Sequence, residues 1–227
     1  MTDEVTLEEW LVDRGHTPQQ AELWCEFVSD SIDLFDDSHA LLRTADEWAA
    51  FLTGCNAAHP TEPEITSGLG DRMRRLQHEA PMDSNRDKLQ VAYEVAPIGD
   101  ESHGIRKPKA DFEIRRKFEA GYSASFVVEA KPLRTSGDMK NRYLGTEGIG
   151  CFLERDPPYS RDTIVGMVGY ALKDHSKWFP LLTSFPSING INKVLLQSGK
   201  SCLVSEHERK ALKLPNATVT HTILDYT

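Results

Sequence analysis

No apolar run in this chain approaches the roughly 18 residues that a membrane-spanning helix needs, and its opening, MTDEVTLEEW, is acidic where a signal peptide is basic. A soluble, cytoplasmic protein with no membrane attachment is therefore expected. Cysteine is scarce and scattered. Cys25, Cys55, Cys151 and Cys202 form no C-x-x-C pair and have no histidine at zinc spacing, which argues against a zinc site, an iron–sulfur cluster and a disulfide framework. The expectation for all four is a buried free thiol. Eight histidines likewise show no H-x-x-x-H or His/Cys pairing, and core or surface roles are expected for each.

Positive charge is also short overall, with a formal net charge of −9, but the deficit is local. Residues Met1 to Glu64 hold 15 acidic and 2 basic side chains, and the remainder holds 24 basic against 20 acidic. Within that remainder, Ile105 to Lys117 carries Arg106, Lys107, Lys109, Arg115, Arg116 and Lys117 against only Asp111 and Glu113. Such an excess suits contact with phosphate, and Arg134 adds to it farther along the chain. A solvated charged hairpin is the alternative reading.

The first 60 residues read as an acidic, all-helical extension. Thr6-x-x-Glu9, Thr17-x-x-Gln20 and Thr44-x-x-Glu47 each have capping-box form, and Trp24, Phe27, Ile32, Leu34, Trp48, Phe51 and Leu52 supply apolar faces. Residues 61–227 read as one α/β domain. A helix from Glu64 to Glu79 shows Ile65, Leu69, Met73 and Leu76 on one face; Lys88–Ile98, Ala110–Phe118 and Ser125–Leu133 read as a three-stranded meander joined by GDESHG and EAGYSA. Asp162–Asp174, apolar nearly all round, reads as a buried helix, and Lys193–Gln197 and Ala217–Asp225 as two further strands. The order α-β-β-β-α-β points to a mixed β-sheet flanked by helices.

Alternation along the third strand sends Val127, Glu129 and Lys131 to one face. An antiparallel hairpin brings Asp111 across to the Glu129 end. Two carboxylates beside a lysine have a chemical logic. Phosphodiester hydrolysis calls for a hard cation on oxygen ligands, to neutralise developing charge and to lower the pKa of an attacking water. Asp111, Glu129 and the backbone carbonyl of Ala130 are the expected magnesium or manganese ligands, and Lys131 the fixed positive charge beside the phosphate. A structural salt bridge between Glu129 and Lys131 is the bland alternative.

KADFEI, with FVVEAK following so that Glu129 lies eighteen positions after Asp111, resembles the D-x(n)-E-x-K signature of the PD-(D/E)XK, restriction-endonuclease-like nucleases. The resemblance covers roughly Glu64 to Asp174, with Pro108 three positions upstream of Asp111 instead of immediately before it. It implies that family's fold, an endonuclease acting on DNA in preference to RNA, and a role in restriction, anti-phage defence or DNA processing. It also implies a catalytic set of Asp111, Glu129 and Lys131, joined by Glu64 as the glutamate many members carry on the helix before the first strand. Thr61-x-x-Glu64 has capping-box form as well, so Glu64 has a second reading. On the segment 162–174, Tyr170 and Met167 stand where some members place a catalytic glutamine or tyrosine; core packing is the expectation for both. Gly145 to Gly150 (GTEGIG) lacks the G-K-[ST] ending of a phosphate loop. A protein partner docking on the acidic helices, and a homodimer, are compatible with this reading. The competing expectation is a catalytically silent binding or assembly subunit that keeps the fold.

Overall fold

The computed structural model describes residues 5–56, 59–97, 108–118, 122–185 and 190–227. Thr6 and Thr17 close their capping boxes with Glu9 and Gln20 and open α1 (Leu7–Val12) and α2 (Pro18–Leu42). The box expected at Thr44 does not form in front of α3 (Ala45–Gly54). Thr44 turns its hydroxyl back to the Leu41 carbonyl at 2.9 Å. Glu47 is instead claimed by Arg72 (2.7 Å) and Arg75 (2.8 Å) of α4 (Glu62–His78), because charge-assisted bonds outcompete a neutral cap.

β1 (Leu89–Val95), β2 (Ala110–Lys117) and β3 (Ser123–Leu133) form the antiparallel meander. The GDESHG turn and the start of EAGYSA lie outside the described residues. The helix expected over 162–174 is absent: that segment is a strand, β4 (Ile164–Ala171), hydrogen-bonded parallel to β3. All eight of its residues are buried, Ile164, Val168 and Tyr170 in the apolar cluster on one face of the sheet and Val165, Met167 and Ala171 in the cluster on the other. A strand covered on both faces loses its alternation and reads as an unbroken apolar run, as a buried helix does. Its two glycines answer to the same crowding, since a Cβ at Gly166 would lie 2.8 Å from the Phe126 ring.

The β3–β4 crossover carries a π-helical segment (Asp138–Tyr143) and the short α5 (Gly150–Leu153). After α6 (Trp178–Thr183) come β5 (Asn192–Leu195), β6 (Ser201–Arg209) and β7 (Leu214–Asp225). β5 and β7 match the two expected strands. β6, SCLVSEHER, was hidden by its polar residues, three of which (Ser205, Arg209 and, in part, His207) point inward. The sheet order is β1-β2-β3-β4-β7-β6-β5, a mixed seven-stranded sheet flanked by helices.

No break in the core separates the first 60 residues from the rest. Leu7, Trp10, Trp24, Phe27, Leu34 and Phe35 belong to the same buried cluster as Ile65, Phe112, Phe126 and Val204. The acidity of α2 is largely met inside the molecule. Glu26 (2.7 Å) and Asp30 (3.0 Å) hold Arg116, while Asp33 and Asp36 hold Lys200, each at 2.8 Å. None of the described helices is long and apolar enough to cross a membrane.

Candidate active site

The register of the β2–β3 ladder builds the site. Phe112 faces Val128, so Asp111 lies level with Glu129, and Asp111 Oδ2 accepts the Ala130 N–H at 2.7 Å. Glu129 and Lys131, two residues apart on β3, meet at 2.6 Å between Oε1 and Nζ. The expected trio is therefore gathered, and Glu129 and Lys131 are 4% and 6% exposed. A fourth member comes from the first turn of α4, where Glu62 Oε1 accepts from Lys131 Nζ at 3.0 Å. The other oxygen of Glu62 accepts from Arg142 of the π-helical segment at 3.1 Å. A chain of alternating charge results: Glu129, Lys131, Glu62, Arg142.

Burial sets the electrostatics. Desolvation raises Asp111 to about 6 against the pull of Lys131. Glu129 rises to about 8, through desolvation first and the Asp111 charge second. These two carboxyls titrate as one coupled pair that keeps a proton well above the ordinary carboxylate range. Lys131 shows the opposite balance: burial pulls it down, but Glu129, Asp111 and Glu62 outweigh that and hold it above its ordinary value, so it stays a cation. A permanently charged lysine suits electrostatic stabilisation and not proton abstraction.

One atom of the cluster has no internal partner. Glu129 Oε2 is buried without a hydrogen bond. A buried carboxylate oxygen left unpaired is costly and points to something that would satisfy it. Hard oxygens from Asp111 and Glu129 are the donor set magnesium and manganese favour, with the Ala130 carbonyl beside them. Among the described residues no group of three or more His, Cys, Asp or Glu side chains forms a ready-made cation cage. An ion here would complete its shell with backbone oxygen and water, as magnesium commonly does.

Glu64 is not brought to this cluster. Its carboxylate accepts from the Thr61 N–H and hydroxyl, both at 2.8 Å, and from the Asn56 N–H at 2.7 Å, so it serves the start of α4. Glu62 occupies the place expected of it. The clue lay in the sequence: in T-E-P-E the capping box takes Glu64, leaving Glu62 free to turn elsewhere. Glu64→Ala is accordingly expected to lower the melting temperature slightly and spare function, whereas Glu62→Ala should spare the cap and impair function; thermal melts alongside activity assays check both.

The expected phosphate-contact residues divide. Arg106 and Lys107 lie outside the described residues. Arg116 is 6% exposed and taken by Glu26 and Asp30, so it is a core ion pair and not a surface contact. Arg115 is half exposed but forked onto Glu113 at 2.8 Å through two nitrogens, and Lys109 pairs with Glu94 at 3.2 Å. Lys117 and Arg134 are exposed. Arg142 was missed because its segment carries no regular periodicity. Tyr143 fixes that segment by donating to the Met167 carbonyl at 3.2 Å, with His221 Nδ1 at 3.2 Å from the same hydroxyl. Gly148 lets the chain turn back under it, since a Cβ there would sit 2.2 Å from the Tyr143 carbonyl. GTEGIG thus serves close backbone packing. Tyr170 and Met167 are core residues of β4, the Tyr170 hydroxyl meeting Thr66 at 3.0 Å.

Comparison of the chain with family models, curated proteins and solved structures gave no match.

Proposed function

We propose that this protein is a metal-dependent nuclease of the PD-(D/E)XK, restriction-endonuclease-like class, hydrolysing phosphodiester bonds of DNA. The observation that carries the reading is Asp111, bonded to the Ala130 N–H and level with the buried Glu129, which meets a cationic Lys131 and leaves its Oε2 unpartnered. Asp111, Glu129 and the Ala130 carbonyl would hold magnesium or manganese, which supplies charge neutralisation at the phosphate and acidifies water. Lys131 places a fixed positive charge against the scissile phosphate, where negative charge grows in the transition state. Glu62 orients Lys131, and Asp111 is itself oriented by the Ala130 N–H.

The test is cleavage of plasmid and single-stranded DNA with magnesium or manganese, comparing wild type with Asp111→Ala. Cleavage by wild type that disappears in a folded Asp111→Ala supports the reading. Equal cleavage by both would remove Asp111 from the site, and absence of cleavage by folded wild type on either substrate would favour the silent binding subunit.

A further inference from the structure

Beside the Asp111–Glu129 pair, on the strand face that Glu129 and Lys131 share, the surface opens into a cavity of about 320 Å³. That is at the small end of the roughly 300–1,000 Å³ typical of ligand sites. Ala110 and Val127 flank its catalytic end, each one or two residues from Asp111 or Glu129. Tyr159 stands at the same end, close enough to Glu129 for that carboxylate to push its phenol up, after burial. The walls are apolar: Val95, Pro97, Ala110, Val127, Pro158 and the Tyr159 ring. The polar groups are the Asp162 carboxylate, the Glu113–Arg115 pair, Arg161, and Ser125 and Ser160, whose hydroxyls bond to Glu113 and to the Asp162 N–H. A second hollow of about 360 Å³ shares Glu113, Arg115, Ser125 and Asp162 and carries the groove on to the exposed Lys117.

The roof of the cavity, Pro158 to Asp162, is held in place. Arg209 is 1% exposed, and its guanidinium donates to backbone carbonyls: to Pro215 O at 2.7 Å, Ser160 O at 3.1 Å and Arg161 O at 3.4 Å. The Ser160 hydroxyl accepts the Asp162 N–H at 3.1 Å, and the Ser125 hydroxyl donates to Glu113 at 2.6 Å. A buried arginine used to fix a surface loop makes a preorganised wall, which lowers the cost of binding.

We infer that this cavity receives one nucleobase next to the scissile phosphate, with Asp162 accepting from an exocyclic amine and Tyr159 closing the pocket at the catalytic end. The choice of ligand rests on the phosphodiesterase reading. A base can enter only if it has left its stack, so the substrate is nucleic acid with an unpaired nucleotide at the cut, and a base with an exocyclic amine, such as cytosine, is favoured over thymine. The rest of the strand follows the groove towards Lys117.

Calorimetric titration of the full chain with dCMP and with dTMP tests the pocket apart from catalysis. The expected result is dCMP binding about tenfold tighter than dTMP, a difference erased in Asp162→Asn, which keeps the side chain's size but turns an acceptor-only carboxylate into an amide that donates as well as accepts. A companion assay compares cleavage of a closed duplex with that of the same duplex carrying one unpaired cytosine, the latter being expected to be cut faster. No dCMP binding, or equal binding of both nucleotides unchanged by Asp162→Asn, overturns the pocket even if Asp111-dependent cleavage is found. Base-selective binding lost in Asp162→Asn, with no cleavage of any substrate, keeps the pocket and removes the hydrolase.

Discussion

Replacing Lys131 with methionine is expected to cut turnover by about a hundred- to a thousandfold while leaving magnesium binding intact or tighter. The loss is the scale seen when one preorganised charge facing a developing oxyanion is removed. Metal binding survives because Asp111 and Glu129 remain, and a cation 2.6 Å from Glu129 that competes with the ion has gone. Asp111→Ala should behave differently and lose both binding and turnover. Isothermal titration with magnesium beside single-turnover kinetics separates the two variants. If Lys131→Met cleaves at the wild-type rate, the Glu129–Lys131 contact is only a structural ion pair.

Glu129→Gln should make the metal-free protein more stable at alkaline pH. In the unfolded chain Glu129 gives up its proton near the ordinary 4.5, whereas in the folded protein it keeps it to about 8. Between those values the native state binds more protons than the unfolded state, so wild-type stability falls as pH rises and levels off above about 8. Asp111, raised to about 6 from 3.8, adds a smaller cost of the same sign at lower pH. The Glu129 contribution is on the order of a few kcal/mol. The glutamine variant, with nothing to ionise there, escapes it: the two proteins should unfold alike near pH 4 and diverge by pH 8.5. Magnesium should restore the wild type and not the variant, because the ion replaces the proton on the carboxylate pair. Urea unfolding across this pH range decides it, and parallel curves for the two proteins would mean that burial of Glu129 costs nothing.

Both expected results turn on residues whose proximity is legible in the sequence. Asp111, Glu129 and Lys131 were legible because a hairpin has fixed periodicity: alternation assigns faces, and antiparallel pairing aligns residues whose numbers have a constant sum. Contacts set by tertiary structure were less legible. Glu62 and Glu64 are chemically identical, and only the geometry of the α4 start decides which one turns to Lys131. Arg116 looked like part of a basic patch because the strand gives no sign that Glu26 and Asp30 approach it from ~90 residues away in sequence. Residues 162–174 carry a helix-like pattern although 164–171 form a strand, because burial on both faces erases the period that distinguishes the two. β6 escaped notice for the converse reason: Ser205 lies in the interior, satisfied there by His207 and His221 at 2.8 Å each, so polarity did not mark the surface.

The place of β7 bears on how the protein comes into being. It lies between β4 and β6, and the earliest helices lean on it: Trp10 bonds to Thr218 at 3.3 Å and His39 to the Asp225 carbonyl at 2.8 Å. As the chain emerges during synthesis, Phe27 and Phe35 can meet Phe118 and Phe112 early, but the bonds of Trp10 and His39 must wait for β7, about two hundred residues on. The β2–β3 hairpin and α4 exist long before that moment, but the parallel half of the sheet that backs β3 gains its far neighbour only when β7 arrives. The candidate site is in this sense local in its contacts, gathered between Glu62 and Arg142, while the sheet behind it is completed last.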